Sequence, residues 1–112
     1  METYAKIKSV TDVITEEMIA TRRDFHKYAE AGWFEMRTSS IIARKLTEMG
    51  VDEVLVGEQV CKKDARMGVA AEDLLEANYQ RAVEQGGDPE FLPYTRGGMT
   101  GVVGTVRTRL RP

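Results

Sequence analysis

The sequence predicts an α/β domain of about three helices and two strands. Three observations lead to this prediction. Apolar residues recur at helical spacing in three stretches, β-branched residues gather in two others, and no repeat or flexible linker divides the 112 residues. We therefore expect one domain over residues 1–112, with a single modest core.

The first predicted helix runs from about Tyr4 to Tyr28. Its apolar residues fall at steps of four, four, seven and three, which places them on one stripe: Val10, Ile14, Met18, Phe25 and Tyr28. Such a stripe has to be buried against another surface. Ala31-Gly32 then interrupts the helical period, because glycine readily adopts turn conformations.

The second predicted helix runs from about Glu35 to Met49, and Gly50 is suited to follow its last turn. Its apolar residues share one side of the helix: Ile41, Ile42, Leu46 and Met49. The next segment, residues 51–60, is rich in β-branched residues and predicts a strand. A helix, a short connection and a strand in this order are typical of an α/β layer.

The third predicted helix runs from about Ala70 to Gln85 and ends before a Gly-Gly-Asp-Pro sequence at residues 86–89. The residues expected to face inward are Leu75, Tyr79 and Ala82, with Leu74 beside them. A second strand is predicted near residues 100–108. Two strands alone are marginal in water, so we expect further protein, or another chain, to cover the open face and edge of this sheet.

Composition excludes several classes of protein. A formal net charge of -2 argues against a chain built to neutralise phosphates, and the cluster Arg107, Arg109 and Arg111 is interpreted as a solvated strand end. No apolar run is long enough for a membrane helix, and no apolar signal-peptide core follows the first residues. A single cysteine, Cys61, rules out an intramolecular disulfide. We therefore expect a cytoplasmic protein with no nucleic-acid or membrane partner.

Two groups of residues are candidates for a metal or reactive site. Asp24, His26 and Glu30 resemble a ligand cluster, yet Asp24 and His26 point about 200° apart on a helix, and zinc favours several nitrogen or sulfur ligands. We expect capping or packing roles for these three. Cys61 precedes two lysines that could activate its thiol, but a plain cysteine at a strand end is the preferred interpretation.

Charged and aromatic residues crowd the predicted turn between the first two helices. We expect ion pairs to fix this turn, formed among Arg22, Arg23, Arg37, Asp24, Glu30 and Glu35. Trp33 and Phe34 are expected to anchor it in the core. The glycines of residues 97–104 fit no phosphate-binding pattern and are expected to allow a tight approach to the last strand.

The order of residues in three blocks resembles a known enzyme family. The blocks are Arg22-Arg23-Asp24-Phe25-His26-Lys27-Tyr28-Ala29-Glu30-Ala31-Gly32-Trp33-Phe34-Glu35-Met36-Arg37-Thr38, then Arg66-Met67-Gly68, then Gly97-Gly98-Met99-Thr100-Gly101-Val102-Val103-Gly104-Thr105-Val106. Together they resemble the start of the metal-dependent amidohydrolases that include aminoacylases, hippurate hydrolases and aminobenzoyl-glutamate hydrolases, with the closest likeness to the A subunits of the last group.

This resemblance implies an N-terminal fragment of a mixed-sheet metallopeptidase catalytic domain. It implies that the intact enzyme cleaves an N-acyl or aminobenzoyl amino acid amide with two divalent ions, zinc or manganese, that activate water. The family's ligand and catalytic residues lie outside the present segment, so no catalytic, cofactor-binding or metal-binding residue is assigned here, and the isolated chain is expected to be inactive.

The resemblance also implies partners for the intact enzyme. The family leads us to expect a small N-acyl amino acid substrate, a homo-oligomer and a B-type subunit. The alternative hypothesis is a stand-alone, non-catalytic module that dimerises through its open sheet. These two hypotheses belong to different functional classes and are kept open.

Overall fold

The computed structural model describes residues 2–108, which form three α-helices and one two-stranded sheet. In chain order the elements are α1 (Glu2–Lys27), α2 (Met36–Glu48), β1 (Glu53–Val56), α3 (Glu72–Glu84) and β2 (Val102–Thr105). Short 3-10 turns occupy Gly57–Gln59, Lys63–Ala65 and Leu92–Thr95. The predicted class, α/β with three helices and two strands, is confirmed.

The two strands pair in antiparallel fashion, with Glu53 opposite Thr105 and Val56 opposite Val102. Strand β1 is four residues long, shorter than the predicted segment 51–60. The reason lies at Gly57, which has a φ of 59° and starts a 3-10 turn. A Cβ at this position would lie 1.9 Å from the Tyr94 carbonyl oxygen, so the strand ends where only glycine fits.

A small hydrophobic core lies between α2, α3 and the loop that follows α3. Its buried members are Met36, Leu75, Tyr79, Ala82 and Leu92. The three residues predicted to face inward from α3 are therefore buried. Leu74, expected beside them, is 52% exposed, because the buried face of α3 is narrow. Helix α2 buries mainly small and polar residues, namely Ser39, Ser40 and Ala43, and directs Ile42 and Met49 elsewhere.

Helix α1 lies largely outside this core. It has 26 residues and is about 39 Å long at 1.5 Å per residue, yet none of its residues is buried. The chain measures 53 × 36 × 24 Å with a radius of gyration of 16.4 Å, compared with about 13 Å for a compact domain near this size. The predicted stripe is thus covered only at its C-terminal end: Val10, Ile14 and Met18 are exposed, whereas Phe25 and Tyr28 are half-buried, because α2, with 13 residues, is only half as long.

Two further predictions from the sequence concern the basic cluster near the end of the chain and the absence of a membrane-spanning helix. Arg109 and Arg111, two members of the predicted basic cluster, lie outside the described residues. Across residues 2–108, no helix combines the length and apolarity that crossing a bilayer would require.

Candidate functional site

Arg37 joins the three helices at one point. Its guanidinium donates two hydrogen bonds of 3.0 Å to the Asp24 carboxylate near the end of α1. Its Nε donates to the Gln85 carbonyl, 2.7 Å away, at the end of α3. The Arg37 side chain is 6% exposed and lies over the Tyr28 ring at 4.2 Å from its centroid. The predicted ion pair between Asp24 and Arg37 is therefore present, and it fixes the angle between α1 and α2.

Glu30 caps the start of α2 instead of pairing with an arginine side chain. Its carboxylate accepts hydrogen bonds from the backbone N–H groups of Arg37 (2.9 Å) and Thr38 (2.8 Å) and from the Thr38 hydroxyl (2.6 Å). These N–H groups belong to the first turn of the helix and have no partner within it. A negative charge also stabilises this end of the helix dipole. The capping role expected for Glu30 is thus confirmed, whereas its expected ion pair with an arginine side chain is not formed.

The other charges of this region do not join the predicted network. Arg22 and Arg23 are exposed, and within residues 2–108 the ion pair of this turn is made by Arg37. Glu35 precedes α2, and its buried Oε1 has no hydrogen-bond partner among the described residues. The predicted pairing of Arg22, Arg23 and Glu35 is therefore wrong. The turn is held by one bidentate pair and one carboxylate cap.

Trp33 holds the turn through its indole N–H, which donates to the Met67 carbonyl at 2.7 Å. It has a φ of 69°, an uncommon conformation for a residue with a side chain. The ring is half-buried, and the guanidinium of Arg66 lies 5.6 Å from its centroid. Phe34 is the residue that packs against the core. Of the two predicted anchors, Phe34 reaches the core and Trp33 binds the loop beside it.

The three sequence blocks that carry the family resemblance meet at this point. Arg66 donates to the carbonyls of Lys63 (3.2 Å) and Gly97 (2.8 Å). A Cβ on Gly98 would lie 2.8 Å from both the Trp33 carbonyl and Leu75 Cδ2. Glycine at 98 therefore permits the close approach that was predicted for this segment. We call this set the signature cluster, defined as Trp33, Arg66, Met67, Gly97 and Gly98.

A second polar network links α2 to the loop after α3. Arg44 donates to Asp88 (2.8 Å) and to Glu90, and its guanidinium lowers the pKa of the Asp88 carboxyl. The same two carboxylates raise the pKa of Arg44. The Asp88 backbone N–H donates to Ser40 Oγ at 3.0 Å. Sequence reasoning missed this network because its partners are separated by more than 40 residues and share no local motif.

The candidate metal residues are placed apart or are already engaged. His26 is exposed on the last turn of α1, while Asp24 and Glu30 accept hydrogen bonds from Arg37 and Thr38. Cys61 is half-buried, and its Sγ accepts a hydrogen bond from the Gly101 N–H at 3.3 Å. Within residues 2–108, no group of three His, Cys, Asp or Glu side chains gathers as metal ligands.

The described surface includes two sizeable cavities. The first, the α1–α2 groove, has a volume of about 580 Å³ and is lined mainly by Ile14, Met18, Phe25, Ile42, Leu46 and Met49. The second, of about 550 Å³, lies beside the signature cluster and is bordered by Lys63, Arg66, Glu72, Glu76 and Arg96. In the second cavity Arg96 donates to Glu76 at 3.0 Å and lowers the pKa of its carboxyl, so this pair is internally neutralised.

Comparison with known proteins supports the sequence resemblance. No protein-family model matches the chain. It is 45% identical over 92 residues to an indole-3-acetyl-aspartic acid hydrolase of Enterobacter agglomerans, a match that covers 82% of this chain and 21% of the relative. It is 40% identical over 87 residues to the A subunit of the p-aminobenzoyl-glutamate hydrolase of Escherichia coli, a match that covers 78% of this chain and 20% of the relative.

The fold is also found in a solved structure. An aminobenzoyl-glutamate utilization protein from Klebsiella pneumoniae superposes with a TM-score of 0.85 at 37% identity, covering 88% of this chain and 25% of that chain. The present chain therefore spans about a fifth of the length of the curated relatives that it matches. The predicted resemblance to the A subunits of aminobenzoyl-glutamate hydrolases is thus confirmed by both sequence and fold.

Proposed function

We propose that this chain forms the N-terminal scaffold portion of a metal-dependent amidohydrolase. The observation that carries the proposal is the similarity to two hydrolases at 40–45% identity, together with the meeting of the three sequence blocks in one cluster. Both relatives are named for conjugates in which an acidic amino acid carries an aromatic acyl group. The proposed reaction is hydrolysis of an amide of this class, such as aminobenzoyl-glutamate.

The present residues hold helices and loops of the fold in position. Arg37 and Glu30 fix the helices, and the signature cluster fixes the two loops that lead to β2. The donors on residues 2–108 do not fit the two divalent ions that the family resemblance implies, because Asp24 and Glu30 are engaged and His26 is exposed elsewhere. We therefore propose that the metal ions, zinc or manganese, and the general base belong to other parts of the intact enzyme.

The family resemblance also motivates proposals about assembly. We propose that the intact enzyme is a cytoplasmic homo-oligomer whose further partner is a B-type subunit. The alternative is a stand-alone dimerising module. One observation favours it: a two-stranded sheet whose outer edges have no strand beside them within residues 2–108. Sedimentation of the chain over a wide concentration range tests the alternative, since a folded monomer at the highest concentration contradicts a dimerising module.

A replacement experiment tests the scaffold function. In the A subunit of the E. coli p-aminobenzoyl-glutamate hydrolase, the homologous region is replaced by this chain, and glutamate release from aminobenzoyl-glutamate is measured in the otherwise complete enzyme. We expect activity from the chimera, and none from the isolated chain or from the enzyme lacking the region. A folded chimera without activity contradicts the scaffold role, and hydrolysis by the isolated chain contradicts it from the other side.

A further inference from the structure

The cavity beside the signature cluster differs from the α1–α2 groove because its lining is both apolar and charged. Its volume of about 550 Å³ lies within the range of roughly 300–1,000 Å³ that is usual for small-ligand pockets. The apolar part of the lining consists of Val69, Ala70, Leu75 and Met99. Small-ligand pockets typically combine such a lining with a few polar groups that fix the orientation of the ligand. The cavity therefore has the composition of a site for a small amphipathic molecule.

Arg66 is held in the lining of this cavity by three contacts that leave part of its guanidinium free. Its Nε donates to the Lys63 carbonyl at 3.2 Å, and its Nη1 donates to the Gly97 carbonyl at 2.8 Å. The Trp33 ring lies beside it, with its centroid 5.6 Å from the guanidinium. Among the described residues the Nη2 group has no protein acceptor. Because the side chain is already ordered, a ligand that binds Nη2 immobilises little more of it.

The charges around the cavity leave an excess of positive charge. Arg96 donates to Glu76 at 3.0 Å, so these two charges neutralise each other. The other charged residues of the lining are Lys63, Arg66 and Glu72. Glu72 lies in the first turn of α3, where the helix dipole stabilises its negative charge. Neither Lys63 nor Arg66 forms an ion pair within residues 2–108, so an anionic group of a ligand complements them.

We propose that this cavity binds the amino acid portion of the substrate, with Lys63 and Arg66 receiving its acidic side chain. This inference rests on the proposed function. The proposed substrates share an aromatic acyl group and an amino acid with a side-chain carboxylate. The guanidinium and the ammonium group match the carboxylate, and the apolar lining matches the hydrocarbon part of the ligand. By this assignment the two cations select conjugates of aspartate or glutamate over those of neutral amino acids, because a neutral side chain leaves them without their partner.

Lys63 is the residue to replace, and its neighbour Lys62 is the matched control. Arg66 also ties together two loops through backbone carbonyls, so its replacement changes the fold as well as the cavity. Lys63 is exposed and lines the cavity, whereas Lys62 is exposed and does not belong to that lining. Lys63→Gln removes the charge and Lys63→Arg retains it. Lys62→Gln changes the net charge by the same amount outside the cavity.

Hydrolysis kinetics of the chimera with the E. coli A subunit test the proposal. The two compounds compared are aminobenzoyl-glutamate and aminobenzoyl-glutamine, which have the same shape but differ in the charge of the side chain. We expect Lys63→Gln to raise KM for aminobenzoyl-glutamate about tenfold and to leave kcat within about twofold, because a contact made in binding is lost. The affinity for aminobenzoyl-glutamine, measured as KM or as an inhibition constant, should stay the same. Lys63→Arg and Lys62→Gln should resemble the unsubstituted chimera.

Two results overturn the proposal. If Lys63→Gln and Lys62→Gln have the same KM for aminobenzoyl-glutamate, Lys63 has no specific part in binding. If Lys63→Gln weakens the glutamate and glutamine conjugates equally, the lysine does not recognise the side-chain carboxylate. A purely structural role of Lys63 predicts the second result, so the comparison of the two conjugates separates recognition from a change in the fold.

The outcome is separable from that of the proposed function. Binding of aminobenzoyl-glutamate measured by calorimetry does not depend on turnover. An inactive chimera that binds this compound with the expected dependence on Lys63 supports the inference and contradicts the function. An active chimera whose KM does not depend on Lys63 contradicts the inference and leaves the function in place. The indole-3-acetyl-aspartic acid hydrolase of Enterobacter agglomerans provides a second host if the first chimera does not fold.

Discussion

The two ends of helix α1 differ sharply in how the rest of the chain holds them. Near its C-terminal end, Asp24 binds the buried guanidinium of Arg37. In the turn that follows, Glu30 caps the start of α2, and the Trp33 indole donates to a carbonyl of a distant loop. At its N-terminal end, every residue from 2 to 20 is exposed. Both ends have helical sequence, but only one has partners within the described residues.

This difference shows what each kind of sequence pattern can report. Helical spacing of apolar residues indicates that a face will be buried, without indicating by what. Charged and aromatic residues in an unusual order indicate specific partners, because a buried charge requires a bound counter-charge or acceptor. The turn between α1 and α2 is held within the chain, whereas most of the apolar face of α1 has no cover within the described residues. Four predictions, ordered from the largest expected effect to the smallest, test how firmly the different parts of the chain are held.

Replacing Arg37 should produce the largest effect. Arg37→Ala removes both hydrogen bonds to Asp24 and leaves the Gln85 carbonyl without its donor. We expect a loss of about 3 kcal/mol of unfolding free energy, at the low end for a buried pair because the Asp24 side chain is 40% exposed. Urea unfolding measures this value. Arg23→Ala, at an exposed position on α1, is the control and should change stability by less than about 0.5 kcal/mol.

The adjacent glycines of the signature cluster give the next largest effect. Gly97→Ala and Gly98→Ala both place a side chain at a φ of 82°, which costs on the order of 1 kcal/mol. Only at Gly98 does the new Cβ meet Trp33 and Leu75 atoms at 2.8 Å, so we expect a total loss of roughly 2–3 kcal/mol there. Equal unfolding midpoints for the two variants would show that the close approach at Gly98 is relieved at little cost.

The elements of the fold could be predicted because their signals are local. Steps of three, four and seven residues identified α1, and the glycine and proline cluster at residues 86–89 identified the end of α3. The length of β1 could not be predicted, since it depends on the approach of the Tyr94 carbonyl to Gly57, which is distant in sequence. The exposure of α1 escaped prediction for the same reason, because burial depends on what lies beside a helix.

The candidate site was predictable in part. The residues of the first block suggested a fixed turn, and the pair of Asp24 with Arg37 was among the expected partners. The acceptor for Trp33 and most of the donors for Glu30 are backbone groups, which every residue carries, so side-chain identity gives no signal for them. The family resemblance brought the three blocks together as one group. Their contacts through Arg66 and Gly98 became visible only in the fold.

A smaller and pH-dependent effect is expected at Asp88. Arg44 lowers the pKa of Asp88 below its usual 3.8, so the pair contributes stability above this pH, and the contribution is lost as the pH falls through the folded-state value. Asp88→Asn should cost roughly 1–2 kcal/mol at pH 7. The difference in unfolding free energy between the original chain and Asp88→Asn should shrink below about pH 4. Unfolding curves of the original chain and of Asp88→Asn at several pH values measure this difference in unfolding free energy. Arg96 also lowers the pKa of Glu76, but Glu76 is present in both proteins, so the comparison isolates the effect of Asp88. A difference that stays constant down to about pH 2 contradicts the linkage.

The smallest effect is expected on the exposed half of α1, and it is the sharpest test of the contrast between the two ends. Ile7 is 61% exposed and belongs to the stripe that no other part of the described chain covers. Ile7→Ser removes a large apolar side chain at modest cost in helix propensity, so the unfolding free energy of the isolated chain should change by less than about 0.5 kcal/mol. The same substitution at a buried position would cost several times more. Leu75→Ser provides that comparison, because Leu75 is 5% exposed in the core. If Ile7→Ser is as destabilising as Leu75→Ser, the N-terminal half of α1 is packed in solution, and the contrast between the two ends of this helix does not hold.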